Sequence, residues 1–243
     1  MKYASFTEKG IRDINQDAIF AVTDGNQGVF VVADGMGGHC EGEYASAEIA
    51  LAIKEWWDVS RKYNDMSSDE AFEQCVDAVL RVNKELYRHF KAKGEIGGST
   101  IVLLLVWNDV IRALSVGDSR IYRIVGNTIE QITVDDIWEN TPAAQELSDE
   151  ERSSDARRGK LVSAVGVYED IEPRIYSLKA EYGDMFMLCS DGVYKYCDDE
   201  TIRDIFGRKN TSSTKSLTKK LKKVVEKKRT MDNYSAVVCE MKN

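Results

Sequence analysis

The sequence predicts an α+β fold of antiparallel β-sheets covered by helices. Most β-prone segments follow one another through connections short enough for hairpins, such as Asn108-Asp109 and Gly126-Asn127. Two long helical patterns are inserted as a pair between the early strands and the later ones. Strands that arrive mainly by hairpin favour antiparallel sheets over alternating βαβ units.

The first half of the chain contains two predicted strands and then the helical pair. Residues 17–24 and 28–34 are β-prone and are separated by a turn at Gly25-Asn26. Apolar residues then recur at helical spacing from 42 to about 59 and from 68 to about 93. Ser67 or Ser68 is a suitable N-cap for the second helix.

The second half of the chain is predicted to be mainly β-structure. Four β-prone segments follow Gly97-Gly98, namely STIVLLLVW, VIRALSVGD, SRIYRIVG and NTIEQIT. Residues 134–160 are polar and irregular, which predicts a flap-like surface excursion with short helices. Strands resume at RIYSLKA and DMFMLCSD, a helix is expected near 199–206, and YSAVVCEM forms a last strand.

Composition favours a single cytoplasmic domain spanning 1–243. The chain has 243 residues, 43% of them hydrophobic, which is enough for one sizeable core. Its formal charge of −8 disfavours a nucleic-acid binder. The five cysteines are scattered without a CxxC pair, so neither a disulfide framework nor a thiolate zinc site is expected. No signal core or membrane-length apolar run is present in the sequence.

One basic segment contrasts with the acidic whole. Residues 208–229 carry ten Lys or Arg and a single acid, Glu226. Apolar residues at helical spacing within the segment favour a surface helix whose apolar stripe packs inward while its lysines face water. A docking surface for acidic partners or an anionic membrane is the alternative.

Five aspartates lie at a predicted strand end or in the turn beside one. They are Asp17, Asp34, Asp118, Asp191 and Asp232. Any one of them alone is more often a turn former. If the strand ends converge, however, the set becomes an all-oxygen cluster suited to Mg²⁺ or Mn²⁺, to which Gly35 could add its backbone carbonyl.

Several oxygen-bound divalent ions in one place predict a phosphoryl-hydrolase site with an activated water. Arg12, five residues before Asp17, is a candidate guanidinium fork for the phosphate oxygens, with a surface salt bridge as the alternative. The chain has only two histidines, so it offers few candidates for a Ser–His–Asp triad. Cys189, in the middle of a strand, is expected to be a small core residue.

Six motifs in order resemble the metal-dependent protein serine/threonine phosphatases of the type 2C (PPM) family, in their compact bacterial form. The motifs are RDINQD, VVADGMGGHCEGEYAS, GGST, SVGDSRIYRI, MFMLCSDGV and MDNYSAVV, and they span Arg12 to Val238. The resemblance implies a four-layer αββα fold, a β-sandwich of two antiparallel sheets flanked by helices. It also implies a dinuclear Mn²⁺/Mg²⁺ centre at one end of the sandwich.

The resemblance also implies a role for each matching residue. Asp34 bridges two metal ions, Gly35 gives a carbonyl, and Asp191 and Asp232 bind the first ion. Asp17 holds or orients a metal-bound water, and Arg12 grips the substrate phosphate. Asp118, together with Asp191, forms a weaker third metal site.

Two departures from the family pattern bear on these roles. Some relatives have a histidine directly after the Asp-Gly of the second motif, where this chain has Met36. His39 follows the glycine pair instead and is not expected to be catalytic. The segment 133–166, which in family members shapes substrate entry and touches the third metal, lacks the family's Asp-His-Ser triplet.

The function predicted from the sequence is metal-dependent hydrolysis of phosphoserine and phosphothreonine on proteins, opposing a Ser/Thr kinase. A monomer without a membrane span or nucleic-acid partner is expected. The alternatives are a catalytically inactive phosphatase-like regulator and a switch phosphatase with a single partner. A two-metal nuclease shares the oxygen ligands but fits poorly with the acidic surface.

Overall fold

The computed structural model describes residues 1–38, 41–63, 65–179, 181–207 and 212–241. Within them the strands form two antiparallel sheets, with a short strand beside the second. The first sheet has the order β1-β11-β10-β7-β8 and the second β2-β3-β5-β6-β9. The strands are β1 (Lys2–Glu8), β2 (Asp17–Asp24), β3 (Gln27–Gly37), β4 (Gly97–Ser99), β5 (Ile101–Trp107), β6 (Val110–Val116), β7 (Arg120–Val125), β8 (Thr128–Gln131), β9 (Arg174–Leu178), β10 (Met185–Cys189) and β11 (Tyr234–Glu240).

Helices cover both outer faces of the sheets. They are α1 (Glu41–Ser60), α2 (Ser68–Lys93), α3 (Pro142–Gln145), α4 (Asp149–Ser154), α5 (Asp191–Tyr194), α6 (Asp199–Phe206) and α7 (Thr214–Lys227), with a 3₁₀ turn at Trp138–Asn140. The Ser67 side chain accepts a hydrogen bond from the Glu70 N–H and so caps α2, as predicted. The expected short helices of the polar excursion are α3, α4 and the 3₁₀ turn.

Strand β3 explains why a long apolar run precedes Asp34. Val29, Val31 and Ala33 pack with α1 and α2 on one face. Phe30 and Val32 pack between the two sheets, against residues such as Phe186 of β10. Both faces of the strand are therefore buried, which makes the sequence continuously apolar instead of alternating. A third apolar cluster lies between the first sheet and α6 and α7, so the fold has the four αββα layers.

The turn signals are confirmed in the hairpins. Asn108 and Asp109 both have positive φ, at 49° and 65°, as a two-residue I′ turn between β5 and β6 requires. Gly126 has φ of 58° between β7 and β8.

Two elements were not predicted from the sequence. Strand β1 has only Phe6 buried, so its sequence carries little apolar signal, and it forms because it pairs with β11 along its whole length. The four-residue helix α5 begins at Asp191, two residues after the end of β10, so Asp191 lies at a helix start and not at the strand end.

The basic segment forms a surface helix from residue 214. Leu217, Leu221 and Val225 of α7 are buried against the first sheet, as the favoured interpretation predicted. Residues 208–211 of the segment lie outside the described part of the chain. Across the described residues, every helix is too short or too polar to cross a membrane.

Candidate active site

Asp17 and Asp34 are paired across two neighbouring strands. Asp17 opens β2 and is the register partner of Asp34 in β3. Strand β3 continues to Gly37 and pairs there with β4, so Asp34 lies inside its strand and not at the predicted end. The Asp34 N–H donates to Thr100 Oγ1 at 3.1 Å and its carbonyl accepts from the Thr100 N–H at 2.9 Å. These two bonds fix the backbone that carries the carboxylate.

Gly35 is required by the packing of backbone against backbone. A Cβ at this position would lie 2.0 Å from the Gly42 carbonyl oxygen and 2.6 Å from that of Gln16. Its N–H donates to the Gln16 carbonyl at 3.0 Å. Gly35 therefore brings β3 against the start of α1, and the space it leaves is filled by main chain.

The second Asp-Gly pair, Asp191-Gly192, also depends on close contact between main-chain segments, here beside the first sheet. A Cβ on Gly192 would lie 1.9 Å from the Asn233 carbonyl oxygen. This contact holds the start of α5, with Asp191, against the turn that carries Asp232 just before β11. The Ser190 hydroxyl joins the two sheets, because it donates to Asp17 Oδ2 at 2.7 Å while accepting from the Ser235 N–H at 3.0 Å.

Asp118 lies in the turn between β6 and β7 and is joined to the flap-like excursion by a chain of contacts. Its Oδ2 accepts a hydrogen bond from the Tyr194 hydroxyl at 3.2 Å. The Arg120 guanidinium lies 3.7 Å from the centre of the Tyr194 ring. Arg120 in turn makes a two-pronged ion pair with Asp135, with a shortest distance of 2.7 Å.

Arg12 is held beside Asp232. Its Nη2 lies 3.0 Å from Asp232 Oδ2 and its Nε donates to the Met231 carbonyl at 3.0 Å. The surface salt bridge considered as the alternative is therefore present, but its partner is itself a candidate site residue. The Arg12 side chain is 58% exposed, so part of its guanidinium remains accessible.

Asn233 fixes the loop on which Arg12 lies. Its Nδ2 donates to the carbonyls of Lys9 at 2.8 Å and Ile14 at 2.9 Å. Its Oδ1 accepts from the Gln16 N–H at 2.9 Å. One buried side chain thus binds both ends of the 9–16 loop, and this loop leads directly into Asp17.

Asp34 lies in the electric field of the other four aspartates. Burial raises the pKa of Asp34 well above its usual value, and the charges of the other four aspartates raise it further. Burial also raises the pKa of Asp17 to about 6, against opposing hydrogen bonds from Ser235 and Ser190. Burial and the nearby Asp191 raise the pKa of Asp118. Carboxylates so close together are costly in the charged form and are stabilised by cations.

Lys195 supplies one such cation from within the chain. Its Nζ lies 2.5 Å from Asp191 Oδ2, one helical turn further along. Burial lowers the pKa of Lys195, but the hydrogen bond and charge of Asp191 outweigh it and the net pKa is raised.

The donor set fits a hard divalent cation. Asp17 Oδ1 is buried without a hydrogen-bond partner among the described residues, and the converging groups are oxygen donors. Within the same part of the chain, no group of three or more His, Cys, Asp or Glu side chains is arranged so that it could hold a metal ion as it stands. Lys195 pairs with Asp191, Arg12 pairs with Asp232 and Ser190 donates to Asp17, so a metal ion at Asp191 and Asp232 would compete with these two cationic side chains.

Sequence reasoning placed the five aspartates, Gly35 and Arg12, and the structure brings them into one region. It missed Ser190, Lys195 and Asn233, which position those residues. Ser190 and Asn233 stand directly beside Asp191 and Asp232 in the motifs CSD and MDN, but their partners are more than 170 residues away in sequence. His39 lies outside the described residues. Cys189 is a fully buried strand residue, as expected.

Comparison with known proteins identifies the family of the chain. The family model described as protein phosphatase 2C matches residues 10–227. The serine/threonine phosphatase stp of Listeria welshimeri is 28% identical over 216 residues, which cover 86% of this chain and 84% of that protein.

Solved structures show the same fold. The serine/threonine phosphatase Stp1 from Staphylococcus aureus aligns with a TM-score of 0.86 and 26% identity, covering all of this chain and 95% of that one. The catalytic domain of the serine/threonine protein phosphatase PstP, in complex with two manganese ions, aligns with a TM-score of 0.81 and 24% identity, covering 100% and 98%. The chain therefore belongs to the protein phosphatase 2C family of serine/threonine phosphatases.

Proposed function

We propose that this chain hydrolyses phosphoserine and phosphothreonine on proteins, using water activated at a dinuclear Mn²⁺ or Mg²⁺ centre. The observation that carries the proposal is the pairing of Asp34 with Asp17 in the field of three further aspartates, where the buried Asp17 Oδ1 has no hydrogen-bond partner among the described residues. The PstP domain of the same fold holds two manganese ions, which supports this choice of metal. When bound, such ions lower the pKa of water and stabilise charge on the phosphoryl group.

Different residues of the chain would bind the metal ions and the attacking water. Asp34, the Gly35 carbonyl, Asp191 and Asp232 would hold the two core ions. Asp118, together with Asp191, would hold a weaker third ion. Asp17 would orient the attacking water, because its Oδ2 is already held by Ser190 and its Oδ1 is free among the described residues.

Arg12 would bind the substrate phosphate. Its accessible guanidinium edge presents N–H donors in a planar fork that matches phosphate oxygens. The ion pair with Asp232 and the Asn233 clamp on its loop fix where that fork points. The leaving serine or threonine oxygen needs a proton, which Met36 cannot give, so we assign that proton to water.

The test is hydrolysis of a phosphothreonine peptide by purified protein in EDTA, Mg²⁺ or Mn²⁺. We expect turnover only with added metal, and loss of turnover in Asp34→Asn and Asp191→Asn while the fold is kept. Metal-independent turnover, or full activity of either variant, would contradict the assignment. The change Asp58→Asn, on the surface of α1 and paired with Lys54, is the matched control.

The second candidate function is that of a phosphatase-like regulator without activity. It would be favoured if the folded, metal-loaded protein hydrolysed no phosphopeptide. Turnover restricted to one phosphoprotein would instead indicate a switch phosphatase. We further propose a monomer in the cytoplasm that opposes a Ser/Thr kinase. The free thiols of Cys75, Cys189, Cys197 and Cys239 are in keeping with a reducing compartment.

A further inference from the structure

A groove of about 780 Å³ lies between strand β1 and helix α7, and none of the five aspartates is among its lining residues. The two elements lie side by side in the same direction. At one end, Thr214 of α7 donates to Glu240, the register partner of Lys2. At the other end, Lys222 forms an ion pair with Glu8. The helix therefore follows the strand from its beginning to its end.

Three lysines on one face of α7 line this groove. Lys215, Lys219 and Lys222 are spaced four and three residues apart, which places them on one side of the helix. Lys222 is held by Glu8 and Glu226, whereas Lys215 and Lys219 are exposed. A basic groove of this kind, on a chain with a formal charge of −8, selects an acidic occupant.

The opposite wall of the groove is an edge strand. Strand β1 is the last strand of the first sheet and pairs only with β11 among the described residues. Alternate N–H and C=O groups of such a strand point away from the sheet and can pair with an added strand. Lys2, Tyr3, Ser5 and Thr7 of this strand are exposed. An extended peptide of six or seven residues, about 20 Å long, would match its length.

The burial of the apolar face of α7 favours a peptide over a membrane as the partner of the groove. A helix that binds a lipid surface inserts an exposed apolar face beneath its lysines. The apolar stripe of α7, with Leu217, Leu221 and Val225, is already buried in the protein. The groove itself presents exposed lysines, the free edge of β1 and the side chain of Tyr3, which is 39% exposed.

We propose that the β1–α7 groove docks an extended acidic segment of a protein partner, which adds to the edge of β1 as a further strand and pairs its carboxylates with Lys215 and Lys219. The 9–12 loop that follows β1 carries Arg12, so the groove leads toward the aspartate cluster. A docked segment would therefore hold a phosphorylated residue of the same partner near the site. This last step rests on the proposed function, whereas peptide binding does not.

The first experiment measures binding of an unphosphorylated, fluorescein-labelled ten-residue peptide of alternating Glu and Val to the full chain by fluorescence polarisation. We expect binding that weakens with salt and is absent for the same peptide with Gln in place of Glu. Lys215→Gln/Lys219→Gln should weaken it about fivefold, because exposed ion pairs contribute only modestly to binding. Lys220→Gln/Lys223→Gln is the matched control, with the same charge change on exposed lysines outside the groove.

Hydrogen exchange supplies a second, independent readout. Peptide addition should slow exchange of amides within residues 2–8 and leave those of α2 unchanged. Equal weakening by both lysine pairs, or binding without protection of β1, would overturn the proposal. So would binding of phosphatidylserine vesicles through the groove lysines without binding of the peptide.

A kinetic arm separates docking from catalysis. A phosphothreonine peptide that also carries the Glu/Val segment should have a higher kcat/KM than the short phosphopeptide, and Lys215→Gln/Lys219→Gln should remove that gain. Hydrolysis of p-nitrophenyl phosphate should be unchanged. Peptide binding with no hydrolysis of any phosphate ester would refute the proposed function and leave docking intact, whereas hydrolysis without peptide binding would refute docking alone.

Discussion

Asp17 and Asp34 are register partners in the β2–β3 ladder, so a buried and a partly buried carboxylate lie side by side in the sheet. The β-structure forces them together, and Asp118, Asp191 and Asp232 add their charge from the other elements. Such an arrangement costs folding free energy unless protons or cations neutralise it. Stability and cation binding are therefore expected to be linked in this protein.

The metal-depleted protein should lose stability as the pH rises. The raised pKa of Asp17, about 6, means that the folded state keeps a proton that the unfolded state releases near its ordinary value of 3.8. This contribution is fully present below about pH 4 and is lost as pH rises through 6, by up to about 3 kcal/mol. Urea unfolding in EDTA between pH 4 and 8 measures the trend. Asp17→Asn should reduce the dependence of the free energy of unfolding on pH. An unchanged dependence in that variant would exclude Asp17 as the cause.

Divalent cations should raise the melting temperature of the wild-type protein. A ligand at one hundred times its dissociation constant stabilises by about 2.7 kcal/mol, which corresponds to roughly 5–10 °C for a chain of this size. Asp34→Asn should abolish the shift because Asp34 stands at the centre of the cluster. Asp58→Asn should keep it. Differential scanning fluorimetry with Mn²⁺ or Mg²⁺ gives the answer, and an intact shift in Asp34→Asn would remove Asp34 from the ligand set.

Removing Lys195 should strengthen metal binding. Its ammonium group occupies Asp191 Oδ2 and repels any second cation at that carboxylate. Because the pair is partly exposed, we expect the gain in affinity for Lys195→Gln to be modest, about threefold by calorimetric titration. Lys54→Gln breaks a comparable pair with Asp58, one turn apart on α1, and should leave the affinity unchanged. Weaker binding in Lys195→Gln would mean that the lysine orients Asp191 for the metal.

Gly192→Ala should disrupt the site by steric overlap. The added methyl group would meet the Asn233 carbonyl oxygen at 1.9 Å, and neither backbone can yield without moving Asp191 or Asp232. We expect a loss of about 3 kcal/mol in urea unfolding, the upper end for overpacking. Gly126→Ala is the control, because that turn has open space and only its φ of 58° to oppose the change. Gly126→Ala should lower the free energy of unfolding by only about 1 kcal/mol.

Arg12→Ala should impair binding of the phosphorylated substrate. Hydrogen bonds to charged groups contribute about 1.5–3 kcal/mol, so we expect kcat/KM for a phosphopeptide to fall at least tenfold, chiefly through KM. Arg61→Ala, which removes an exposed pair with Asp24 on the α1 side, serves as the control. A KM unchanged in Arg12→Ala would indicate that Arg12 serves only to hold Asp232.

The sequence predicted those parts of the molecule whose signals are local. The hairpins at Asn108-Asp109 and Gly126-Asn127, the α1–α2 pair and the buried stripe of α7 follow from turn chemistry and apolar spacing. Strand β1 escaped prediction because its stability comes from pairing with β11 and not from its own composition.

The same distinction applies to the site. The aspartates beside apolar runs, and Arg12, could be identified from the sequence as candidate site residues. The bond from Ser190 to Asp17 and the bonds from Asn233 to the 9–16 loop join residues far apart in the chain, which no local pattern reveals. Likewise, the reason for Gly35 and Gly192 became visible only as close approaches between main-chain segments.

The clamp formed by Asn233 has a consequence for the order in which the molecule matures during synthesis. The loop that carries Arg12 is held by three hydrogen bonds from Asn233, a residue that is synthesised more than 200 positions later. Closing so long a loop is slow, and it must await translation of Asn233. A nascent chain is thus expected to form the α1–α2 pair well before α6, α7 and the complete site.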